Sequence, residues 1–266
     1  MIRAILILLL FCACASTPET SGDEFAKHEE FGVRFDSAGV RGAFVLFDAS
    51  AGEYLVYNPE RVEQPFLPAS TFKILNSLIA LETGVIEDEE EVMAWDGVER
   101  GWEMWDRDHD LRSAFRYSAV WFYQELARRI GEERMRSFVE EAGYGNRSIS
   151  GGIDTFWLEG ELRITPREQV DFLRRLYAND LPFSGRNMDI VRSIMVLEEG
   201  EGYTLRGKTG WAGDMGWFVG YLERGENAYF FAANIDIETD DDAPARIGIT
   251  RGILADLDLL PRAESE

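Results

Sequence analysis

Pro68-Ala69-Ser70-Thr71-Phe72-Lys73 places a hydroxyl and an amine three residues apart at the start of an apolar helical run. Residues i and i+3 on a helix are neighbours, about 5–6 Å apart at Cβ, so the Lys73 amine is predicted to reach the Ser70 hydroxyl. An amine in that position can turn a serine into a nucleophile without a histidine. The pairing is informative because the chain holds only three lysines against 24 arginines.

The residues that follow Ser70 bear on whether this stretch is a catalyst or an ordinary helix start. Apolar side chains make the helix apolar nearly all round, which predicts that it is buried: Phe72, Ile74, Leu75, Leu78, Ile79 and Leu81. A buried lysine is costly unless it is neutral or has a task. The alternative is a helix in which Ser70 is the cap and Lys73 is a solvated side chain, and the predicted burial argues against it.

The first fifteen residues have the pattern of an export signal. One basic residue, Arg3, precedes an unbroken apolar stretch over residues 4–15, which ends in the small-residue cleavage pattern Ala13-Cys14-Ala15. The stretch is too short to span a bilayer as a helix. We therefore predict a signal peptide over residues 1–15, a single catalytic domain over residues 16–266, and a periplasmic or secreted product. Lipid attachment at Cys14 is the alternative to a soluble product.

The composition excludes several classes of function. Both cysteines, Cys12 and Cys14, lie in the predicted leader, so the mature domain has no disulfide and no cysteine-based metal site. The histidines, His28 and His109, are far apart and begin no metal-binding motif, which argues against a zinc site and a Ser-His-Asp triad. His109 stands in a polar run and is predicted at the surface. A net charge of −22 argues against nucleic acid and anionic membranes as partners, whereas oligomeric state stays open.

The order of the predicted elements indicates an α+β fold. Periodicity predicts strands at 40–49 and 53–58, helices over 70–84, 117–130, 132–142, 166–178 and 188–197, strands at 203–209, 215–222 and 228–237, and a last helix over 244–257. This order predicts an antiparallel sheet flanked by helices, with an all-helical lobe inserted between the two strand-bearing parts. The sheet lobe is expected at about 24–62 and 186–266, and the helical lobe at about 63–185.

Four further stretches carry groups that can act with Ser70. Ser118-Ala119-Val120 offers a hydroxyl that can transfer protons and a valine that can exclude water from a neighbouring amine. Taken alone, this stretch also fits an ordinary helix cap. Tyr144-Gly145-Asn146 in isolation is a turn. Lys208-Thr209-Gly210-Trp211 ends a predicted strand, where a cation and a hydroxyl can hold a carboxylate beside a backbone donor. Arg246 is a permanent cation that can grip a carboxylate in a fork.

Together and in this order, the motifs resemble those of the class D, or oxacillinase-type, serine β-lactamases. The serine-x-x-lysine and lysine-threonine-glycine pair is a known mark of penicillin-recognising enzymes. The class D marks are a serine-x-valine at Ser118, the Tyr144-Gly145-Asn146 turn and the tryptophan after Gly210. Residues 153–164 and Gln169-Val170 with Phe172-Leu173 also resemble the family, and the resemblance extends over about residues 39–259.

The resemblance implies the fold shared by serine β-lactamases and penicillin-binding transpeptidases, and it implies a role for each site residue. Ser70 would attack the lactam carbonyl, with its own backbone N–H and that of Trp211 as the oxyanion hole. Ser118 would act as a proton shuttle, and Lys208 would hold the substrate carboxylate together with Thr209 and Arg246. The remaining roles would be substrate binding, at Thr209, Gly210, Trp211 and Arg246. The substrate implied is a small β-lactam, with no nucleic acid and no membrane span.

In this family the lysine at the position of Lys73 reacts with carbon dioxide to form a carbamate, N6-carboxylysine, which serves as general base. The reaction needs a neutral amine, which desolvation by Val120 and Phe72 would favour. Trp157 would donate its indole N–H to the carbamate. The resemblance implies no metal and no diffusible cofactor.

Two other kinds of protein share the serine, the lysine and the fold. One is a sensor domain that is acylated by penicillin and stays acylated, and the other is a cell-wall D,D-peptidase or transpeptidase. Sensor domains of this kind stand behind several membrane helices, and the 266 residues contain no candidate for them. The valine at 120 and Trp157 favour the lactamase. The lifetime of the acyl-enzyme separates all three.

Overall fold

A computed structural model gives the structure of residues 25–262. The predicted signal peptide and the cleavage site after it lie outside the described residues. Within residues 25–262, no helix is both long enough and apolar enough to cross a membrane.

The centre of the described chain is a seven-stranded sheet in the order β1-β3-β2-β7-β6-β5-β4. The strands are β1 Ala26–Lys27, β2 Gly42–Asp48, β3 Glu53–Tyr57, β4 Val196–Gly200, β5 Tyr203–Ala212, β6 Met215–Arg224 and β7 Asn227–Asp236. All neighbours are antiparallel except β1, which pairs with β3 in parallel. The predicted antiparallel sheet is therefore confirmed apart from this two-residue edge strand.

Helices cover both faces of the sheet. They are α1 Gly32–Ala38, α2 Pro59–Val62, α3 Lys73–Glu82, α4 Leu111–Tyr117, α5 Val120–Ile130, α6 Glu132–Ala142, α7 Pro166–Tyr177, α8 Gly185–Ile194 and α9 Ala245–Asp256. A 3₁₀ turn over Ala69–Phe72 leads into α3. The described residues have the predicted order of strands, helices, strands and helix, except that β1 and α1, which the sequence did not predict, precede β2.

The alternation of β2 shows how the two faces are filled. Three side chains of β2, Ala43, Val45 and Phe47, belong to one apolar core. This core lies under the helices that come between β3 and β4 in the chain, among them α3, α5 and α7. Phe44 and Leu46 point the other way, into the core beneath α1 and α9. Because both faces of β2 are buried, the strand reads as a continuous apolar run instead of an alternating one.

Two of the predicted helices have different boundaries in the structure. The helix predicted over 117–130 is divided at Ser118, whose φ of 57° is left-handed, so that α4 ends and α5 begins there. The helix predicted over 188–197 ends at Ile194, and Val196–Gly200 forms β4 instead. Strand β4 exists because β5 offers it a partner, which is a long-range contact that overrides local propensity.

Candidate active site

Ser70 lies in the 3₁₀ turn and Lys73 is the first residue of α3. The Lys73 Nζ is 2.7 Å from the Ser70 Oγ. The Lys73 side chain is fully buried, and this burial, with a smaller contribution from the charge of Lys208, holds the pKa of Lys73 well below its ordinary value. A neutral amine can accept a proton from the hydroxyl it contacts, so the geometry suits activation of Ser70 as a nucleophile.

The turn that carries Ser70 is strained and is held by buried hydrogen bonds. Ala69 has a φ of 49°, a conformation that costs a non-glycine residue about 1–3 kcal/mol. Its N–H donates to the Trp157 carbonyl at 3.0 Å. The Thr71 hydroxyl donates to the Pro68 carbonyl and accepts from the Gln169 amide, both at 2.7 Å. These contacts keep the nucleophile at the surface of the cleft.

Sequence reasoning assigned no role to Thr71 or to Gln169. Both side chains are fully buried, and a buried polar group usually has a hydrogen-bonding task. The signal that could have identified Gln169 is its position on the apolar face of α7, between Pro166 and Leu173.

A second pair of hydroxyl and amine lies beside the first. The Lys208 Nζ on β5 donates to the Ser118 Oγ at 3.0 Å and to the Thr209 carbonyl at 2.9 Å. Lys208 is 4% exposed. Burial, assisted by the positive charge of Arg246, lowers the pKa of Lys208 to about 7. Lys208 can therefore gain or lose a proton near neutral pH while it is hydrogen-bonded to the Ser118 hydroxyl.

Arg246 on α9 supplies a second cation close to Lys208. Its guanidinium donates to the Ala243 carbonyl, while its Nε is buried and has no hydrogen-bond partner among the described residues. Burial lowers the pKa of Arg246. A buried cation with unsatisfied donors is stabilised when an anion reaches it.

Gly210 allows β5 to lie against the nucleophile turn. A Cβ at Gly210 would be 3.1 Å from the Pro68 carbonyl oxygen and 3.2 Å from the Thr71 Cγ2. The next residue, Trp211, is 41% exposed and lines the same cleft as Ser70. Close approach of strand and turn is the reason that a side chain would be poorly tolerated at Gly210.

Trp157 is fully buried, and its ring stacks on Phe72 at 5.3 Å between centroids. Its indole Nε1 has no hydrogen-bond partner among the described residues. An unpaired buried donor costs about 1–3 kcal/mol, so an acceptor group is expected to meet it. A carbamate on Lys73 fits the residues present, because a buried amine of depressed pKa is reactive towards carbon dioxide and Trp157 offers an unused donor.

These residues surround one cleft of about 460 Å³. Seven of the predicted site residues line it: Ser70, Ser118, Val120, Thr209, Gly210, Trp211 and Arg246. Lys73 and Lys208 reach it through their hydrogen bonds to Ser70 and Ser118. Aromatic side chains from the 102–117 region form its rim, Trp102, Trp105 and Tyr117. Residues that are up to 176 positions apart in sequence therefore line the same cleft.

The prediction that His109 lies at the surface is wrong. His109 is 1% exposed. Its Nε2 is 2.9 Å from the Met104 carbonyl and its Nδ1 is 3.0 Å from the Ser113 hydroxyl. A β-bridge to Met93 draws the residue inward, where its ring packs near Trp121. Polar neighbours in sequence misled the prediction, because they point outward while His109 points inward.

Tyr144 is also buried, at 1% exposure, and packs edge-on against Phe72 and Phe172. Its place is behind the nucleophile turn. In the part of the chain that the structure describes, no three histidine, cysteine, aspartate or glutamate side chains are grouped so that they could hold a metal ion.

Comparison with known proteins gives consistent matches. The model of the penicillin binding protein transpeptidase domain matches residues 42–255. β-lactamase OXA-5 of Pseudomonas aeruginosa is 41% identical over 95% of this chain and 96% of its own length. β-lactamase OXA-48 of Klebsiella pneumoniae is 42% identical over 90% of this chain and 91% of its own length.

Solved structures agree with the sequence relatives. The class D β-lactamase YbXI from Nostoc superposes with a TM-score of 0.85 at 51% identity, over 86% of this chain and 99% of that one. FUS-1 (OXA-85), a class D β-lactamase from Fusobacterium nucleatum subsp. polymorphum, gives 0.86 at 38% identity, over 88% of this chain and all of that one. With the hydroxyl–amine pairs already located, these matches show that the chain belongs to the class D serine β-lactamases and has the penicillin-binding transpeptidase-like fold.

Proposed function

We propose that this protein is an exported β-lactamase that hydrolyses the amide of penicillins and related β-lactams through an acyl-enzyme on Ser70. The observation that carries the proposal is the 2.7 Å contact between the Ser70 Oγ and a fully buried Lys73 Nζ. A buried lysine costs stability unless it has a task, and activation of the adjacent hydroxyl is a task that this contact suits.

Acylation joins the Ser70 Oγ to the lactam carbonyl carbon and breaks the bond from that carbon to the lactam nitrogen. Lys73 is placed to take the hydroxyl proton, because burial favours its neutral amine. The backbone N–H groups of Ser70 and Trp211 are assigned to the developing oxyanion. The leaving nitrogen needs a proton, which the Ser118 hydroxyl can donate and Lys208 can replace through its 3.0 Å contact.

Substrate binding is assigned to the wall formed by β5 and α9. Every penicillin carries a carboxylate next to the lactam nitrogen. Thr209 and Arg246 line the cleft, Lys208 reaches it through its contact with Ser118, and Arg246 still has an unpaired buried donor. A carboxylate bound there would satisfy this donor and set the lactam carbonyl towards Ser70.

A carbamate on Lys73 would supply a carboxylate-like oxygen as the general base for both acylation and deacylation. Val120 lines the cleft beside Ser118 and would help to exclude water from the amine. Trp157 would hold the modified side chain with its unpaired indole N–H. This part of the proposal rests on the burial of Lys73 and on the unused donor.

Turnover distinguishes the hydrolase from the sensor and peptidase alternatives. Steady-state hydrolysis of benzylpenicillin and a chromogenic cephalosporin should be measured beside the intact mass of the protein. Rapid turnover with little accumulated adduct is expected of the hydrolase. A stable covalent adduct without turnover would refute it in favour of a sensor or peptidase. Sequencing the amino terminus of the exported protein tests the predicted cleavage after Ala15.

The pKa of Lys208, which burial lowers to about 7, predicts a pH dependence. The side chain is charged below that pH and neutral above it, so kcat/KM for benzylpenicillin is expected to fall as pH rises through about 7. A bound carboxylate stabilises the charged form and raises the pKa, so kcat should fall at a higher pH than kcat/KM. Full pH–rate profiles for kcat and kcat/KM test this. If both constants fall at the same alkaline pH, the result contradicts a role for Lys208 in binding the carboxylate.

Arg246→Ala is expected to raise KM for benzylpenicillin about tenfold or more, since a hydrogen bond to a charged group contributes about 1.5–3 kcal/mol. The turnover number should change less, because the carboxylate contact is present in both ground state and transition state. Arg246→Lys keeps the charge without the fork and should be intermediate. A fall in kcat at constant KM would contradict this assignment.

A further inference from the structure

A second cleft adjoins the catalytic cleft along β5. Its volume is about 580 Å³, and Arg116 and Thr209 line both clefts. Strand β4 pairs with β5 no farther than the Val196–Arg206 pair. The second cleft therefore runs beside the next residues of β5, which lead directly to Lys208 and Thr209. Its other walls come from β4, α4 and α9, through Leu197, Arg112, Ile247 and Arg251.

The second cleft is positively charged within a strongly acidic protein. Three arginines line it against one glutamate, Glu198. Arg251 pairs with Glu198 at 2.7 Å, and Arg112 pairs with Glu89 at 3.1 Å. Arg116 is exposed, lies near the Tyr117 ring, and has no hydrogen bond or ion pair to any of the described residues. Its guanidinium is thus free to bind an anion at the junction of the two clefts.

The direction of β5 indicates which part of a substrate would reach this junction. In the proposed function, the lactam carbonyl lies at Ser70 and Trp211, and the carboxylate lies at Lys208 and Thr209. Moving backward along β5 from Trp211, past Thr209 and Lys208, the strand reaches Gly207, and Gly207 lines the second cleft. In a cephalosporin the carboxylate is on C4 and a substituent is on the neighbouring C3. That substituent would therefore lie at the mouth of the second cleft.

We propose that the second cleft is a binding site for the C3 substituent of cephalosporins, and that Arg116 favours substituents with a negative charge, such as a sulfonate or a carboxylate. The inference rests on the proposed function, because it uses the same placement of the lactam. Leu197 and Ile247, which are 54% and 36% exposed, offer apolar surface to a heteroaromatic ring in the substituent. Penicillins have no C3 substituent of this kind and would not use the site.

Two cephalosporins that differ only at this position provide the test. Cefamandole and cefonicid carry the same mandelamido side chain and the same tetrazolylthiomethyl group at C3, and the tetrazole bears a methyl in the first and a sulfomethyl in the second. The ratio of kcat/KM for cefonicid to that for cefamandole should be measured in the unmodified protein, Arg116→Gln and Arg147→Gln. Arg147 is exposed and lines neither cleft, so its replacement gives the same change in charge elsewhere.

Arg116→Gln is expected to lower the ratio about two- to fivefold, which is the effect of one exposed ion pair of up to about 1 kcal/mol. Benzylpenicillin and cefamandole should be affected little, and Arg147→Gln should leave the ratio unchanged. Added salt should lower the ratio in the unmodified protein and not in Arg116→Gln. An unchanged ratio in Arg116→Gln, or an equal fall in Arg147→Gln, would overturn the inference.

The series also separates this inference from the function on which it rests. Failure to hydrolyse benzylpenicillin would refute the proposed function. Hydrolysis of benzylpenicillin without acylation by either cephalosporin would refute only the C3 site, because a blocked second cleft would then exclude the substituent.

Discussion

Lys73→Met is expected to lower kcat/KM for benzylpenicillin by about 10²–10⁴-fold, the usual contribution of a general base, while the protein stays folded. Methionine fills a similar volume in the apolar surroundings of α3 but cannot accept the Ser70 proton. Steady-state kinetics measure the loss and circular dichroism the fold. Near-unmodified hydrolysis by the variant would contradict the role of the amine.

The same variant is expected to be more stable than the unmodified protein at neutral pH. The folded pKa of Lys73 is depressed by burial, so below about pH 10.5 the unfolded chain binds a proton that the folded chain does not. The contribution of Lys73 to the free energy of unfolding therefore falls as the pH falls from about 10.5 towards the pKa of Lys73 in the folded protein. Methionine removes this penalty.

Thermal unfolding in bicarbonate-free buffer checks the sign. The difference in Tm between Lys73→Met and the unmodified protein should be largest near neutral pH and should shrink as pH rises towards about 10.5. Lys27→Met is the matched control, because Lys27 is exposed. A difference in Tm that does not vary with pH would contradict a buried neutral amine.

Trp157→Phe is expected to lower activity at limiting bicarbonate by about 10–100-fold, because the lost indole N–H would leave a buried charged acceptor without its donor. Phenylalanine keeps a ring against Phe72. Added bicarbonate should restore part of the activity, and the variant should need more bicarbonate than the unmodified protein. Activity is measured against bicarbonate concentration at mildly acid pH.

Trp217→Phe separates this effect from general damage. Trp217 is also fully buried, but its indole N–H already donates to the Leu67 carbonyl at 2.8 Å. Its loss is expected to lower stability without changing the dependence on bicarbonate. Trp157→Phe removes an unpaired donor and should cost little stability in bicarbonate-free buffer. Equal bicarbonate dependence in the unmodified protein and Trp157→Phe would contradict a carbamate held by Trp157.

The parts of the site that sequence predicted well are those with short-range geometry. The spacing of Ser70 and Lys73 placed both on one helical turn, and the apolar residues after them correctly predicted a buried helix. The start of the helix predicted over 166–178 is confirmed, because Thr165 caps α7 and Pro166 is its first residue. His109 and the segment after Ile194 were predicted wrongly, since their positions depend on Met93 and β5, which lie elsewhere in the chain.

The sequence by itself determined the order of strands and helices apart from β1, α1 and β4, the hydroxyl–amine spacing at Ser70 and Lys73, and the resemblance to class D β-lactamases. Only the tertiary structure decided that Lys208 meets Ser118 across 90 residues and that Gln169 holds Thr71 across 98. It also decided the exposure of Arg116 between two clefts. The physical reason is that helical and strand periods follow from local backbone geometry, whereas burial, pKa and ion pairing depend on which distant side chains pack together.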